Sequence, residues 1–106
     1  MEPIVYIVTE PDGKDLSTAR KFGKFHVILK GNETTEQAIE KLYGNLFKFR
    51  ACDYLLPIGK SINMGIAIHL AWCHLDDNTP EQVPIELNIL VWRKQQQDYT
   101  VEKVVI

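Results

Sequence analysis

The spacing of apolar positions changes several times along the chain, and the changes divide it into strands and helices. Residues 3–9 and 25–30 are rich in β-branched and aromatic side chains and predict two strands. Residues 53–59 contain a nearly unbroken apolar run, which is typical of a strand covered on both faces. Pro57 has no N–H group to donate, so we expect it near the end of that strand.

Two of the intervening stretches have helical spacing and recognisable start signals. Residues 15–23 predict a short helix whose first turn Asp15 caps. Thr34 and Gln37 have the spacing of a capping box, in which each side chain bonds the backbone of the other residue. They predict a second helix that runs to about residue 48.

A third helix is predicted from Ile62 to Leu75, with Ser61 as its cap and a solvated loop over residues 76–80. This segment is apolar on nearly every side, although it includes His69 and His74. Such a helix must be covered by its own domain or by another subunit. The pattern therefore predicts a homo-oligomer whose interface includes this helix.

The last part of the chain predicts an antiparallel hairpin. Residues 86–93 and 99–105 form two largely alternating runs around the polar segment 95–98. The whole order is then β-α-β-α-β-α-β-β, in a single α/β domain over residues 1–106. Strands that alternate with helices favour a mostly parallel sheet with helices on its faces, to which the hairpin adds an antiparallel edge. A two-layer α+β sandwich is the alternative.

Composition and charge exclude several classes of function. The 106 residues are 45% apolar and 25% charged, and the formal net charge of −2 offers no positive field for nucleic acid. The N-terminus lacks the pattern of a signal peptide, and no apolar run reaches the roughly 20 residues of a membrane span. Two cysteines do not make a secreted disulfide framework. We expect a cytoplasmic protein that binds neither nucleic acid nor membrane.

Gly59, Lys60 and Ser61 form the most suggestive local feature, because they join the apolar strand to the apolar helix. Ligands of open α/β sheets bind beyond the carboxyl ends of strands, where helix N-termini present free N–H groups to anions. Lys60 adds a charge, and Ser61 and Asn63 add hydrogen-bonding groups. A phosphate-binding P-loop would need glycine at position 54, which is Tyr54. The alternative is an ordinary turn between strand and helix.

No catalytic or metal-binding set accompanies this turn. His69 and Cys73 are four residues apart on one helix face, but a structural zinc site takes four ligands and no second pair is evident. We therefore expect both residues to belong to the core. Glu10, Asp12 and Asp15 follow the first strand and could face the same edge as Lys60, without a partner that implies acid–base chemistry. The sequence predicts no enzyme, no metal and no cofactor.

Three segments carry a resemblance to a known group of proteins. They are Asp15-x-Ser17-x-Ala19-x-x-Phe22-Gly23, Asp53-Tyr-Leu-Leu-x-x-Gly59, and a closing hairpin with Leu90-Val-Trp92-Arg and Tyr99. Together they resemble small α/β proteins encoded by bacteriophages, many of them of unknown role. The resemblance implies a phage protein in the host cytoplasm. One role among such proteins is that of a sponge, a non-enzymatic oligomer that sequesters nucleotide-derived immune signals of the host.

Two functions from different classes follow. The first is a binding protein for a small phosphorylated or nucleotide-like ligand, with Gly59, Lys60, Ser61 and Asn63 at the anionic group. Ser17 and Arg20 would contribute from the first crossover. The second is a protein-interaction module that inhibits a host enzyme and needs no small ligand.

Overall fold

The predicted strands assemble into one five-stranded sheet. In the computed structural model, which describes residues 2–105, the strands lie in the order β2-β1-β3-β4-β5. Their bounds are β1 (Ile4–Thr9), β2 (Lys24–Leu29), β3 (Tyr54–Leu56), β4 (Glu86–Arg93) and β5 (Asp98–Val105). The first four strands are mutually parallel, and β5 runs antiparallel to β4. The expectation of a mostly parallel sheet with a C-terminal antiparallel pair is confirmed.

Three helices connect the parallel strands: a 3₁₀ helix (Ser17–Phe22), α1 (Thr35–Leu46) and α2 (Ser61–Asn78). Buried residues of α1 and α2 share one apolar cluster with Tyr6, Val8 and Leu55 of the sheet. Leu16 and Ala19, at the 3₁₀ helix, pack with the opposite face of the sheet. Helical segments therefore lie on both faces, with the two α-helices together on one of them.

The apolar run around β3 is covered on both faces, as the sequence predicts. Leu55 packs under the α-helices and Leu56 packs on the face of the 3₁₀ helix, with exposures of 0% and 2%. β3 is the middle strand of the five, and Pro57 follows its last residue. A short strand with apolar side chains on both faces is stable only in such an interior position.

A buried ion pair holds β1 beside β3 at the amino ends of the strands. Asp53, which is fully buried, accepts hydrogen bonds from the backbone N–H of Ile4 and from the Arg50 guanidinium, at 2.9 and 2.8 Å. Arg50 also donates to the backbone carbonyl of Glu2. Because β1 and β3 are held side by side at their amino ends, their carboxyl ends also lie side by side at the opposite edge of the sheet.

Two helix predictions need correction. The first predicted helix is a 3₁₀ helix of six residues, in which Ala19 N–H donates to Leu16 three residues earlier. Asp15 still contributes, since its carboxylate accepts from the Ser17 N–H at 2.9 Å. α2 continues through residues 76–78, which the sequence predicted as loop. It ends there because Thr79 precedes Pro80, and a residue before proline is pushed into extended conformation.

α1 begins as predicted. Thr34 Oγ1 accepts from the Gln37 N–H at 3.2 Å, and Gln37 Oε1 accepts from the Thr34 N–H at 3.0 Å, which confirms the capping box. Within residues 2–105, no helix is long and apolar enough to cross a membrane.

The connections of the sheet reverse direction between β1 and β3. β1 leads through the 3₁₀ helix to β2 on one side, whereas β3 leads through α2 to β4 on the other. At such a switch point the two connections diverge and leave a crevice beyond the carboxyl ends of the strands. This is where ligands of open α/β sheets bind, so the topology directs attention to the segments after Thr9 and Leu56.

Candidate functional site

A pocket of about 540 Å³ occupies the crevice at the switch point. It is formed by the segments that follow the first three strands and by the first turn of α2. The residues that line it are Thr9, Glu10, Asp12, Lys30, Gly31, Asn32, Gly59, Lys60 and Asn63. The expectation that Glu10 and Asp12 face the same edge as Lys60 is confirmed.

Gly59 forms the floor of the pocket by close contact with Thr9. Its φ of +117° is one that side-chain-bearing residues rarely adopt, and a Cβ placed on it would lie 2.4 Å from Thr9 Oγ1. Thr9 is buried, and its hydroxyl has no hydrogen-bond partner in the described part of the chain. Glycine is therefore required here for two reasons, the backbone conformation and the space that Thr9 occupies.

The N-terminus of α2, at one wall of the pocket, has no protein cap. Its N-cap residue is Lys60, whose side chain makes no capping hydrogen bond, and the first helical bond runs from Met64 N–H to the Lys60 carbonyl. The prediction that Ser61 caps the helix is wrong, because Ser61 is already the first helical residue. The N–H groups of residues 61–63 therefore have no acceptor among residues 2–105.

Asn63 adds a buried polar group at the same place. It stands at the third position of α2, lines the pocket and is only 5% exposed. Asn63 is therefore a polar lining residue of the pocket. The buried polar atom at this pocket that lacks a hydrogen-bond partner among residues 2–105 is Thr9 Oγ1. Buried polar groups are nearly always bonded, so this hydroxyl beside the pocket indicates a group supplied from outside.

The charged side chains of the pocket are of both signs. Lys30 and Lys60 contribute two ammonium groups, and Glu10 and Asp12 contribute two carboxylates. None of the four takes part in an ion pair within residues 2–105. The pocket therefore suits a ligand that carries both an anionic group and hydrogen-bond donors, such as the phosphate and hydroxyls of a sugar phosphate.

The wall at Lys30 and Gly31 is held in place by the carboxylate of Glu33. Its two oxygens accept from the backbone N–H groups of Lys30 and Gly31, both at 2.8 Å, and Lys41 Nζ lies 3.1 Å away. The Lys30 N–H, assisted by Gly31 and Lys41, lowers the pKa of Glu33 to about 2 although burial opposes the shift. Glu33 is therefore a structural anion, ionised at neutral pH.

The predicted ligand residues divide into two groups. Gly59, Lys60 and Asn63 line one pocket, whereas Ser61 does not reach its wall. Ser17 and Arg20 lie outside it on the 3₁₀ helix, and the Arg20 guanidinium stacks 4.6 Å above the ring of Phe25. Ser17 and Arg20 lie away from the pocket because the connection after β1 crosses the face of the sheet opposite to the face that α2 covers.

Sequence reasoning missed four residues of the pocket: Thr9, Lys30, Gly31 and Asn32. Each of them ends or directly follows β1 or β2. Their position after two neighbouring parallel strands was the available signal, since carboxyl ends of such strands meet at one edge. To use this signal, one must know that β2 pairs with β1, and the pattern of apolar residues does not specify that pairing.

The histidine and cysteine of α2 are not core residues as predicted. His69 is exposed and Cys73 is half-buried, with Cys73 Sγ 3.5 Å from His69 Nε2. The buried residues of α2 are Asn63, Ala67, Ala71 and Leu75, and half-buried neighbours such as Ile66 and Leu70 also pack on the core. His69 and Cys73 lie outside this packed set. Among residues 2–105, no group of three or more metal-ligating side chains lies together.

Comparison with known proteins places the chain in a phage family. A family model described as Phage Pam3 gp32-like protein matches residues 3–106, and the chain belongs to this family. The match supports the expectation of a phage-encoded protein. The comparisons found no matching curated protein and no matching solved structure.

Proposed function

We propose that this phage protein is a non-enzymatic binding protein that captures a small phosphorylated or nucleotide-derived ligand in the switch-point pocket. One observation carries the proposal. The uncapped N-terminus of α2 and the buried hydroxyl of Thr9, which has no partner among residues 2–105, meet in a single pocket. Both features leave hydrogen-bonding groups that an anionic ligand would satisfy.

The lysines of the pocket support an anionic ligand, and the carboxylates narrow its chemistry. Lys60 stands at the N-cap position, where its charge adds to the positive end of the helix. Glu10 and Asp12 would repel a bare polyanion but would accept hydrogen bonds from hydroxyl or amino groups. A phosphate ester with a hydroxylated sugar supplies both kinds of group.

A thermal-shift panel tests the proposal. Nucleotides, cyclic dinucleotides and ADP-ribose derivatives should include a ligand that raises the melting temperature, because binding stabilises the folded state by RT ln(1 + [L]/Kd). Lys60→Ala should weaken that shift. Lys24→Ala, at an exposed lysine outside the pocket, is the matched control and should leave it unchanged. A panel without any shift would contradict the proposal.

The non-enzymatic part of the proposal has its own test. Ligand released from the complex should be recovered intact after prolonged incubation, as expected for a sponge that sequesters a host immune signal. Recovery of a cleaved product would instead indicate a hydrolase.

Oligomerisation through α2 remains part of the proposal. Ile62 is 57% exposed, and Gly65, Ile68 and Trp72 line an open apolar groove with Leu87 and Val104. A second copy of the chain would cover these side chains. Light scattering should then show an oligomer that Ile62→Ser weakens, whereas a strict monomer would remove this part of the proposal.

An exposed stripe on α1 favours the second candidate function, a protein-interaction module that acts on a host enzyme. Ile39, Tyr43 and Phe47 follow one another at four-residue spacing and are 43%, 65% and 50% exposed. Exposed apolar patches of this kind mark interaction surfaces. A host protein that stays bound to the wild type in size exclusion, but not to the double variant Tyr43→Ser and Phe47→Ser, would support this function.

A further inference from the structure

A second pocket, of about 660 Å³, lies at the same edge of the sheet but on the face of the 3₁₀ helix. Its apolar walls include Leu56 and Ile58 near the end of β3 and Leu90 on β4. Its aromatic walls are Trp92 and Tyr99 of the hairpin. Its size is within the range of small-molecule sites, which combine apolar walls with a few polar groups.

The aromatic wall is already ordered and partly open to solvent. The rings of Trp92 and Tyr99 meet edge to face with their centroids 5.0 Å apart. Trp92 is nevertheless 43% exposed, so a large part of its indole has no protein partner. An ion pair between Lys21 and Asp98 joins the 3₁₀ helix to the hairpin, the two elements that carry the pocket residues Thr18 and Tyr99. An exposed indole in a preformed pocket is a stacking surface for a planar ring.

The polar groups of this pocket are suited to the edge of a heterocycle. Tyr99 lines the pocket and is only 7% exposed, and its side chain carries a hydroxyl that can donate a hydrogen bond. Burial and the nearby charge of Asp15 raise the pKa of Tyr99, so the hydroxyl remains a donor at neutral pH. The Asp15 carboxylate is an acceptor that also lines the pocket. A nucleobase presents an acceptor and an amino donor along one edge, which these two groups would complement.

The two pockets adjoin along one backbone segment. Ile58 lines the aromatic pocket and Gly59, the next residue, lines the anion pocket. The loop after β1 is shared in the same way, with Asp12 in one pocket and Lys14 in the other. A single ligand can therefore extend across the end of β3 and place different groups in the two pockets, as dinucleotides do at switch points.

We propose that the aromatic pocket binds the planar heterocyclic base of the ligand whose phosphate binds at the N-terminus of α2, which makes a nucleotide the ligand class. The connection between the two pockets rests on the function proposed above. The base site itself depends only on Trp92, Tyr99 and the apolar walls, so the two ideas can fail separately.

The probes are adenosine and guanosine, their 5′-monophosphates, and inorganic phosphate. The chain has two tryptophans, so Trp72→Phe leaves Trp92 as the only indole reporter. Trp72 is a suitable position to change, because its indole N–H is buried without a partner among residues 2–105. In this variant we expect at least one nucleoside to quench the fluorescence of Trp92, and its monophosphate to bind at least tenfold more tightly.

Three variants in the Trp72→Phe background separate the pockets. Lys60→Ala should leave nucleoside affinity unchanged and should remove the gain that the monophosphate provides. Trp92→Leu, followed by calorimetry, should weaken nucleoside binding at least tenfold and leave phosphate binding unchanged. Trp92→Phe keeps an aromatic ring and should retain most of the affinity, which distinguishes stacking from a loss of folding.

Each outcome decides one of the two ideas. If inorganic phosphate binds through Lys60 but no nucleoside perturbs Trp92, the base site is overturned and the anion site stands. If a nucleoside binds through Trp92 but its monophosphate binds no more tightly, the shared ligand is overturned. The anion site fails only if inorganic phosphate also does not bind through Lys60. Quenching by a nucleoside, tighter binding of its monophosphate through Lys60 and weaker nucleoside binding in Trp92→Leu together support a nucleotide as the ligand.

Discussion

The two α-helices begin in opposite ways. At α1, Thr34 and Gln37 cap the first turn, and the carboxylate of Glu33 bonds the backbone N–H groups of the loop just before it. At α2, no side chain caps the first turn, and a lysine stands at the N-cap position. At the start of α1, the protein supplies both a carboxylate and capping side chains. At the start of α2, the described residues supply neither.

The difference identifies α2 as the helix whose first turn lacks a capping acceptor from the described residues. A helix N-terminus is stabilised by a side-chain oxygen at the cap and by negative charge nearby, so α2 forgoes stability that α1 retains. Because the open end faces a pocket that also contains the Thr9 hydroxyl, unpartnered among residues 2–105, the missing acceptor is expected from a ligand. In a protein that binds no ligand, these unbonded polar groups would lower the stability of the folded state with no compensating interaction.

The largest expected effect is at the turn into α2. Gly59→Ala should destabilise the protein by about 2–4 kcal/mol, because it combines an unfavourable φ with a clash against Thr9. Gly13→Ala is the matched control, since Gly13 also has positive φ but has nothing within 4 Å. It should cost only about 1–2 kcal/mol. Urea unfolding of both variants measures the difference, and equal losses would show that the contact with Thr9 is not tight.

A smaller, pH-dependent effect is expected before α1. The folded-state pKa of Glu33 is about 2, below its ordinary 4.5, so its contribution to stability is complete above pH 4.5 and is lost as the pH falls toward 2. Glu33→Gln should cost roughly 1–3 kcal/mol at neutral pH, the typical value of charge-assisted hydrogen bonds. Unfolding at several pH values should show the gap to wild type closing on acidification.

The exposed Glu40 provides the control for that experiment, since it lies on α1, the helix that Glu33 precedes, and forms no ion pair in the described range. Glu40→Gln should leave the pH dependence of stability near that of the wild type. A Glu33→Gln variant as stable as wild type at neutral pH would contradict the role of Glu33 as a structural anion.

The smallest effects come from exchanging the two kinds of helix start. Thr34→Ala should destabilise α1 by about 1 kcal/mol, the usual value of a lost cap. Lys60→Ser should stabilise the ligand-free protein by about 0.5–1 kcal/mol, because serine at the N-cap supplies the missing acceptor. The same change should weaken phosphate binding. If Lys60→Ser instead destabilises the protein, the N-terminus of α2 does not lack a capping acceptor.

The features predictable from sequence were those encoded by neighbours in the chain. Thr34 and Gln37 are three residues apart, so their reciprocal bonds could be inferred before any fold was known. The hairpin of β4 and β5 follows from two alternating runs around a short tip. The central place of β3 follows from apolar residues that need cover on both faces.

The features that could not be predicted depend on residues distant in sequence. The contact of Gly59 with Thr9 exists because β1 and β3 are neighbours, which a strand pattern does not specify. The sequence prediction places Arg20 at the anion site. The side of the sheet that a crossover occupies depends on strand order, which the sequence pattern does not specify. The aromatic pocket likewise required the hairpin to pack beside the 3₁₀ helix.

The most direct test of the open helix start is an amide NMR titration with inorganic phosphate and with the 5′-monophosphates. We expect saturable shifts in the backbone N–H groups of Ser61, Ile62 and Asn63 and in the side-chain amide of Asn63. The capped first turn of α1, at residues 35–37, should remain unperturbed in the same spectra. Shifts that are absent, or equal at the two helix starts, would contradict the claim that α2 is left open for an anionic ligand.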